Sequence, residues 1–374
     1  MSLPSIQVDA PEPSKVAAPT TVAPTPESAL SAEFLRFFGP GQPANPAHTE
    51  LVDIAKRLAP RSGKGHPAPI PAPARKALPA NNPLGPPISP ETLVARVGTL
   101  ASLPNIYVQV DKAINHPASS TARIGAILSY DQALCARLLR IANSAFYGFS
   151  RRVENIEDAV RIIGTRQLQD LVLATVVLTQ FKGIDAHLVG MTSFWRHSLA
   201  CSIAARAIAR LRRDTNLERF FVAGLLHDIG SLAMYQMLPE RSQLALERHR
   251  DSDKALDETE RTVFGCDHAA VGAALMTSWS LPPFLREAAA KHHSSTARGH
   301  TPATAVVHLA DLLVQTLDLG TNGEQRLSRV SPDIRECVGL PAGALASVAD
   351  EVLSLLGGIQ SLFLDDAATT NPPA

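Results

Sequence analysis

The sequence predicts an all-α protein, a bundle of helices that follows a long proline/alanine-rich arm. Three observations predict it. Apolar residues recur at i, i+3/i+4 and i+7 through nearly every segment after residue 89. No set of alternating strands joined by hairpin turns can be found. Aromatic residues make up only 5%, while Ala and Leu abound, which suits helix-on-helix packing.

Bulk composition narrows the class further. The 374 residues are 45% apolar, enough to bury a real core. Lys+Arg and Asp+Glu both number 35, so net charge gives no electrostatic case for nucleic acid or an anionic membrane surface. Cys135, Cys201, Cys266 and Cys337 are scattered and form no CxxC pair. They suggest neither a zinc knuckle nor a disulfide framework, and they fit a reducing compartment. The start, MSLPSIQVDAPEPSK, lacks the basic-then-apolar pattern of a signal peptide. No uninterrupted run of 18 apolar residues occurs. A cytoplasmic protein without membrane insertion is expected.

The arm comes first. Residues 1–88 read as disordered, because the first 90 residues hold 19 of the 29 prolines. Two islands inside the arm have helical spacing. SALSAEFLRFFGP (28–40) places Leu30, Phe34, Phe37 and Phe38 on one side and stops at Gly39–Pro40. HTELVDIAKRLAP (48–60) aligns Leu51, Ile54, Ala55 and Leu58, with Thr49 as a candidate N-cap. Each is about three turns long, too short to stand alone in water. Both are therefore expected to fold only when docked, on a partner protein or on this chain's own bundle. Leu30, Phe34, Phe37 and Phe38 are the candidate partner-binding set.

Order is expected from Ser89–Pro90, with Pro90 suited to a first helical turn. PETLVARVGTL, NIYVQVDKAIN, ARIGAILSY, QALCARLLRIANSAFYG, IEDAVRIIG and TRQLQDLVLATVVLTQF follow in helical register. YVQV passes locally for a strand, but Leu103, Tyr107, Val110 and Ile114 make a better helix face. The second half continues with helices over 193–213, 218–238, 267–279, 282–293 and 302–317. Arg206, Arg210 and Arg213 read as a solvated basic face. An amphipathic segment at 342–363 is expected to pack on the bundle.

Candidate chemistry lies in the second half. His197, His227–Asp228, His268, His292–His293 and Asp311 fall on successive predicted helices. A bundle can converge such side chains on one interior point. Imidazole and carboxylate together suit a divalent transition metal such as Fe, Mn, Ni or Zn. His249 and His308 read as histidines bonded to the backbone or simply exposed.

The order of that set resembles the HD superfamily of metal-dependent phosphohydrolases, whose pattern is His, His-Asp, Asp. The resemblance implies His197, His227, Asp228 and Asp311 as a first metal set, and His268, His292 and His293 as ligands of a possible second metal. Upstream, LPNIYVQVDKAIN, SYDQALCARLLRIANSAFYG and IEDAVRIIGTRQLQDLVL are similar to the first lobe of the HDOD domain, a bacterial signalling module. FWRHSL, GLLHDIG, DHAAVG and WSLPP then follow in the family's order. The resemblance implies a two-lobed helical bundle over 89–317, with a first lobe at 89–186 and an HD-type C-terminal lobe at 187–317. Residues 318–374 remain as a C-terminal extension.

There are departures. LPNIY lacks the family's second Leu-Pro, and Asp131–Gln132 stands where Asp-Pro is common. Ser231 follows His-Asp-Ile-Gly where catalytic HD-GYP phosphodiesterases have lysine, and serine cannot place a fixed cation beside a phosphate. The Gly-Tyr-Pro signature is missing too, the chain reading SSTARGHTP after His293. The resemblance thus implies a regulatory, non-catalytic protein that works through other signalling proteins. Its alternatives are a metal-dependent phosphohydrolase acting on a nucleotide or cyclic nucleotide, and a metal- or nucleotide-binding sensor without turnover.

Overall fold

The computed structural model describes residues 46–58, 85–96, 102–181, 183–294, 301–327, 330 and 334–368. Leu30, Phe34, Phe37 and Phe38 lie outside them. Among the described residues every regular element is a helix. The first helix, α1 (Pro46–Leu58), belongs to the predicted arm, and α2 (Pro90–Arg96) opens the continuous bundle. Then come α3 (Asn105–Ile114), α4 (Thr121–Ser129), α5 (Gln132–Ala142), α6 (Ile156–Ile163) and α7 (Thr165–Val177). YVQV is helical, as the spacing of Leu103, Tyr107 and Val110 predicts, and all three are buried.

Local chemistry sets several of these boundaries. Ser120, Asp131 and Asn155 each accept a hydrogen bond from the backbone N–H three residues on, capping α4, α5 and α6. Asn143, the first residue of NSAFYG, locks the turn after α5. Its amide donates to Leu139 O (2.9 Å) and Val153 O (2.8 Å), and its carbonyl accepts from Val153 N (2.8 Å). This turn presents Phe146, whose ring meets Phe221 edge-on at 5.2 Å.

The second group is built around α8 (Met191–Leu211), whose residues are buried on nearly every side. Against it pack α9 (Leu217–Leu226), α15 (Pro302–Thr316) and α17 (Ala344–Ala368). Between α9 and α15 run α10 (Ile229–Met237), α11 (Pro239–Arg250), α12 (Leu256–Phe264), α13 (His268–Ser278) and α14 (Pro283–Lys291). A short α16 (Ile334–Val338) precedes α17.

Three features differ from the sequence reading. The expected helix over 218–238 is two helices, α9 and α10, broken at His227–Asp228. The Arg stripe is a solvated face only in part, because Arg206 turns inward. Arg206 lies 4.2 Å from the Phe146 ring centroid and 3.6 Å from Glu218, and Arg210 pairs with Glu351. Arg210 and Arg213 are exposed, and Arg206 is half-buried.

The third difference is α1. It starts at Pro46, so Thr49 sits inside its first turn rather than capping it. Ala47, Leu51 and Ile54 are buried where α1 meets α15, α16 and α17. Arg57 pairs with Asp350 (3.2 Å), and Glu50 accepts from Leu345 N (2.9 Å). The surface that receives this helix is the chain's own bundle. Placement also begins before Ser89, since Ile88 N donates to Phe264 O (2.7 Å).

The helix α17 packs on the bundle, as expected of the segment 342–363. Its stretch Ala344–Leu364 is long and apolar enough, by length and composition alone, to cross a membrane. Asp350 and Glu351 interrupt it, which is why no unbroken apolar run shows in the sequence. Here Val348, Val352, Leu356, Ile359 and Phe363 are buried, and Arg196 donates to Gln360 (3.1 Å). These contacts tie the helix to the bundle.

Candidate metal centre

Three glycines let the helices carrying the histidines approach to backbone contact. A Cβ on Gly224 would stand 2.6 Å from Cys201 O, so α9 can cross α8 only with glycine there. One on Gly230 would collide with His268 O and Gly272 N, where α10 meets α13. Gly320 (φ +97°) brings the loop after α15 over α8, where a Cβ would lie 2.8 Å from His197 N. The apolar-looking run GLLHDIG is thus held by two close helix crossings, with the His-Asp break between them.

All seven predicted residues converge in two groups. His197, His227 and Asp311 share the first with Cys201, a residue the sequence reading did not place there. Asp228, His268, His292 and His293 form the second. Asp228 lies between them. Its Oδ2 is 2.9 Å from His227 Nε2 and 3.5 Å from His197 Nε2, while its Oδ1 is 3.2 Å from His292 Nε2 and 3.4 Å from His268 Nε2. Asp311 Oδ1 lies 3.2 Å from His197 Nε2.

Outer contacts orient these groups. His227 Nδ1 donates to Gly224 O (2.8 Å) and His292 Nδ1 to Ala289 O (2.7 Å). His268 Nδ1 donates to Glu260 Oε2 (2.6 Å), which also accepts from His268 N (2.9 Å). Asn322 Nδ2 donates to Asp228 Oδ2 (2.7 Å), and Gln315 Nε2 to Asp311 Oδ2 (2.8 Å). Tyr235 in turn donates to Asn322 O (2.7 Å). With Nδ1 committed to an acceptor, each of these rings turns Nε2 inward, as metal-binding histidines do.

The inward face demands positive charge. His268 Nε2 is 2.8 Å from His293 Nε2 and 3.4 Å from His292 Nε2. Ring nitrogens that close repel unless a proton or a cation lies between them. Protons play that part when no metal is bound. Burial opposes charge on His197 and His227, but Cys201 with Asp228 and Asp311 at the first, and Asp228 with Cys201 and Asp311 at the second, outweigh it and hold both well above the usual histidine range. The same contacts hold Asp228 and Asp311 well below the carboxylate range despite burial. Burial would lower His268, yet Glu260 pushes it up to about 10. Burial and the neighbouring His292 and His268 drive His293 well below its ordinary value. A donor set of imidazoles and carboxylates that needs cations fits a divalent transition metal.

Comparison with known proteins gives the family and the fold. The HDOD domain family model matches residues 100–295, just over half of the chain. The chain belongs to the HDOD family. This HDOD protein is similar to an HDOD domain protein of unknown function from Geobacter sulfurreducens. The two are 25% identical with a TM-score of 0.57, over 73% of this chain and 98% of that one. A candidate phosphohydrolase from Shewanella amazonensis SB2B gives the same TM-score of 0.57 at 24% identity, over 72% and 96% of the two chains. A candidate signal transduction protein from Marinobacter aquaeolei VT8 gives 0.55 at 18% identity, over 85% and 65%. An uncharacterized protein of Treponema pallidum (strain Nichols) is 25% identical over 237 residues, 63% of this HDOD protein and 46% of that one. The chain therefore spans about half the length of that relative.

His249 and His308 stand apart from the two groups. His249 Nδ1 donates to Lys254 O (2.8 Å), and its Nε2 faces Glu324 (2.8 Å). His308 Nδ1 donates to His292 O, so it steadies the backbone of the second group.

Proposed function

We propose that this HDOD protein is a regulator that works through protein–protein contacts and holds divalent metal without turning over a substrate. Burial carries the proposal. His227, Asp228, His268, His292 and Asp311 are 0% exposed and His197 is 1% exposed. Only His293 reaches half-burial, so a phosphoryl group has one narrow side from which to approach. Ser231, where the resemblance leads one to look for lysine, is also fully buried and offers no charge. His197, His227, Asp311, Asp228, His268, His292 and His293 would hold the metal, with Fe, Mn, Ni and Zn as the candidate ions. Such an ion supplies Lewis acidity toward a phosphoryl oxygen where one can reach it.

One observation favours a second reading. A carboxylate facing two donor groups is the arrangement of a two-metal hydrolytic site, which points to a phosphohydrolase acting on a nucleotide or cyclic nucleotide. The deciding experiment incubates metal-loaded protein with cyclic di-GMP. No turnover is expected. Multiple turnovers lost in His227→Ala would establish the enzyme, whereas binding without cleavage would make the protein a nucleotide sensor.

A further inference from the structure

The first donor group contains a residue outside the His-Asp pattern. Cys201 follows His197 by four residues on α8, so both point from the same helix face. Its Sγ lies 3.6 Å from His197 Nε2 and 3.9 Å from Asp311 Oδ1. His227 Nε2 is 3.8 Å from the same Asp311 oxygen. All four donor atoms fall within 4.8 Å of one another. Ligand atoms around a tetrahedral zinc are about 3.3–3.6 Å apart, given bonds of about 2.0–2.1 Å to nitrogen and 2.3 Å to sulfur. The four atoms need only small shifts to close on one ion.

A second observation points to a ligand here. His227 Nε2 is fully buried and turned into this group, facing carboxylate oxygens at 2.9 Å (Asp228 Oδ2) and 3.8 Å (Asp311 Oδ1). Gly224 adds a structural reason. The close crossing it permits sets the α9 turn bearing His227 against the backbone of Cys201 itself.

We propose that Cys201 is a thiolate ligand of the metal held by His197, His227 and Asp311. This rests on the reading that the HD-like site holds divalent metal. The thiol proton leaves to solvent as the sulfur–metal bond forms. One thiolate and one carboxylate neutralise a divalent ion, and a neutral complex is the least costly to bury. A sulfur donor selects zinc, iron(II) or cobalt(II) over manganese or magnesium. Four protein donors also close the shell, which is the mark of a structural site, whereas a catalytic ion keeps a position for water. Asp228 is then free to serve the second group with His268, His292 and His293.

The test loads the full chain with cobalt(II) or zinc and reads the metal directly. The wild type is expected to show a thiolate-to-cobalt charge-transfer band and an X-ray absorption shell of sulfur at about 2.3 Å. Cys201→Ser should lose both signals and still bind metal at the second group, and Cys266→Ser should keep both. The zinc-over-manganese preference of the first group should fall in Cys201→Ser by no less than the roughly 10–100-fold that loss of an outer contact costs. Metal that binds with no sulfur shell in the wild type overturns the inference and leaves the metal reading standing. A sulfur shell that survives in Cys201→Ser overturns it likewise. If the wild type binds no metal at all, the metal reading fails and takes this inference with it. The wild-type spectra decide the matter even if the serine variant folds poorly.

Discussion

Asn322 and Glu260 each fix a donor of the centre. Asn322 holds Asp228 Oδ2, and Glu260 holds His268 Nδ1. Asn322→Ala and Glu260→Gln are each expected to weaken metal binding about 10–100-fold with the fold intact, as measured by competition with a calibrated chelator. An unchanged affinity would show that these contacts are ornamental to the centre. A different residue governs pH response. Burial raises Asp170 from 3.8 to about 7, with Arg219 and Asn216 only partly offsetting it. A raised pKa means the folded state holds the proton more tightly, so the stability it brings is complete below about pH 4 and lost as pH rises through 7. Asp170→Asn should therefore raise the melting temperature more at pH 8 than at pH 4. Equal shifts at the two pH values would rule this out.

At the scale of elements, α1 is the most testable. Leu51 is 0% exposed and sits where α1 meets α15, α16 and α17, so Leu51→Ala is expected to cost about 2–5 kcal/mol in denaturant unfolding. Removing residues 1–58 should lower the melting temperature. A deletion that left stability untouched would mean the docking of α1 contributes nothing. The helices themselves were legible because a 3.6-residue apolar period is a local property. The docking surface of α1 was not, since an amphipathic face states that it wants cover and never says whose. The break at His227–Asp228 was hidden because apolar residues continue on both sides of it in helical spacing. The site shows the same division. Its histidines and aspartates stand in a recognisable order along the chain. Cys201 had a visible signal, four residues beyond His197, but a single cysteine in an Ala-rich helix reads as a small hydrophobe. Asn322 is 94 residues from Asp228, and nothing local in the sequence joins them.

For the whole molecule, Phe146 and Arg206 sit at the seam between the helices before α8 and those from α8 onward, where α7 also packs on α9 and α2 on α13. Phe146 lies edge-on to Phe221 and under the Arg206 guanidinium. Unfolding is accordingly expected as one cooperative transition, and Phe146→Ala should broaden or split it in calorimetry. Metal binds only the folded centre, so zinc at 100 times its dissociation constant should stabilise the protein by about 2.7 kcal/mol per site. A chelator should reverse the gain, and a melting curve indifferent to zinc would argue against any occupied centre.

The seat of α1 also sets an order of events during synthesis. Arg57 and Asp350 pair across 293 positions of chain. The N-terminal partner leaves the ribosome long before the helix it rests on. Chains elongate at about 5–20 residues per second, so α1 waits on the order of 15–60 seconds for α17 to exist. For most of that interval, until α15 emerges, Leu51 and Ile54 have no cover from the bundle that will receive them. The amphipathic helix that seats on the bundle is, until the helices it rests on have emerged, an open invitation to chaperones.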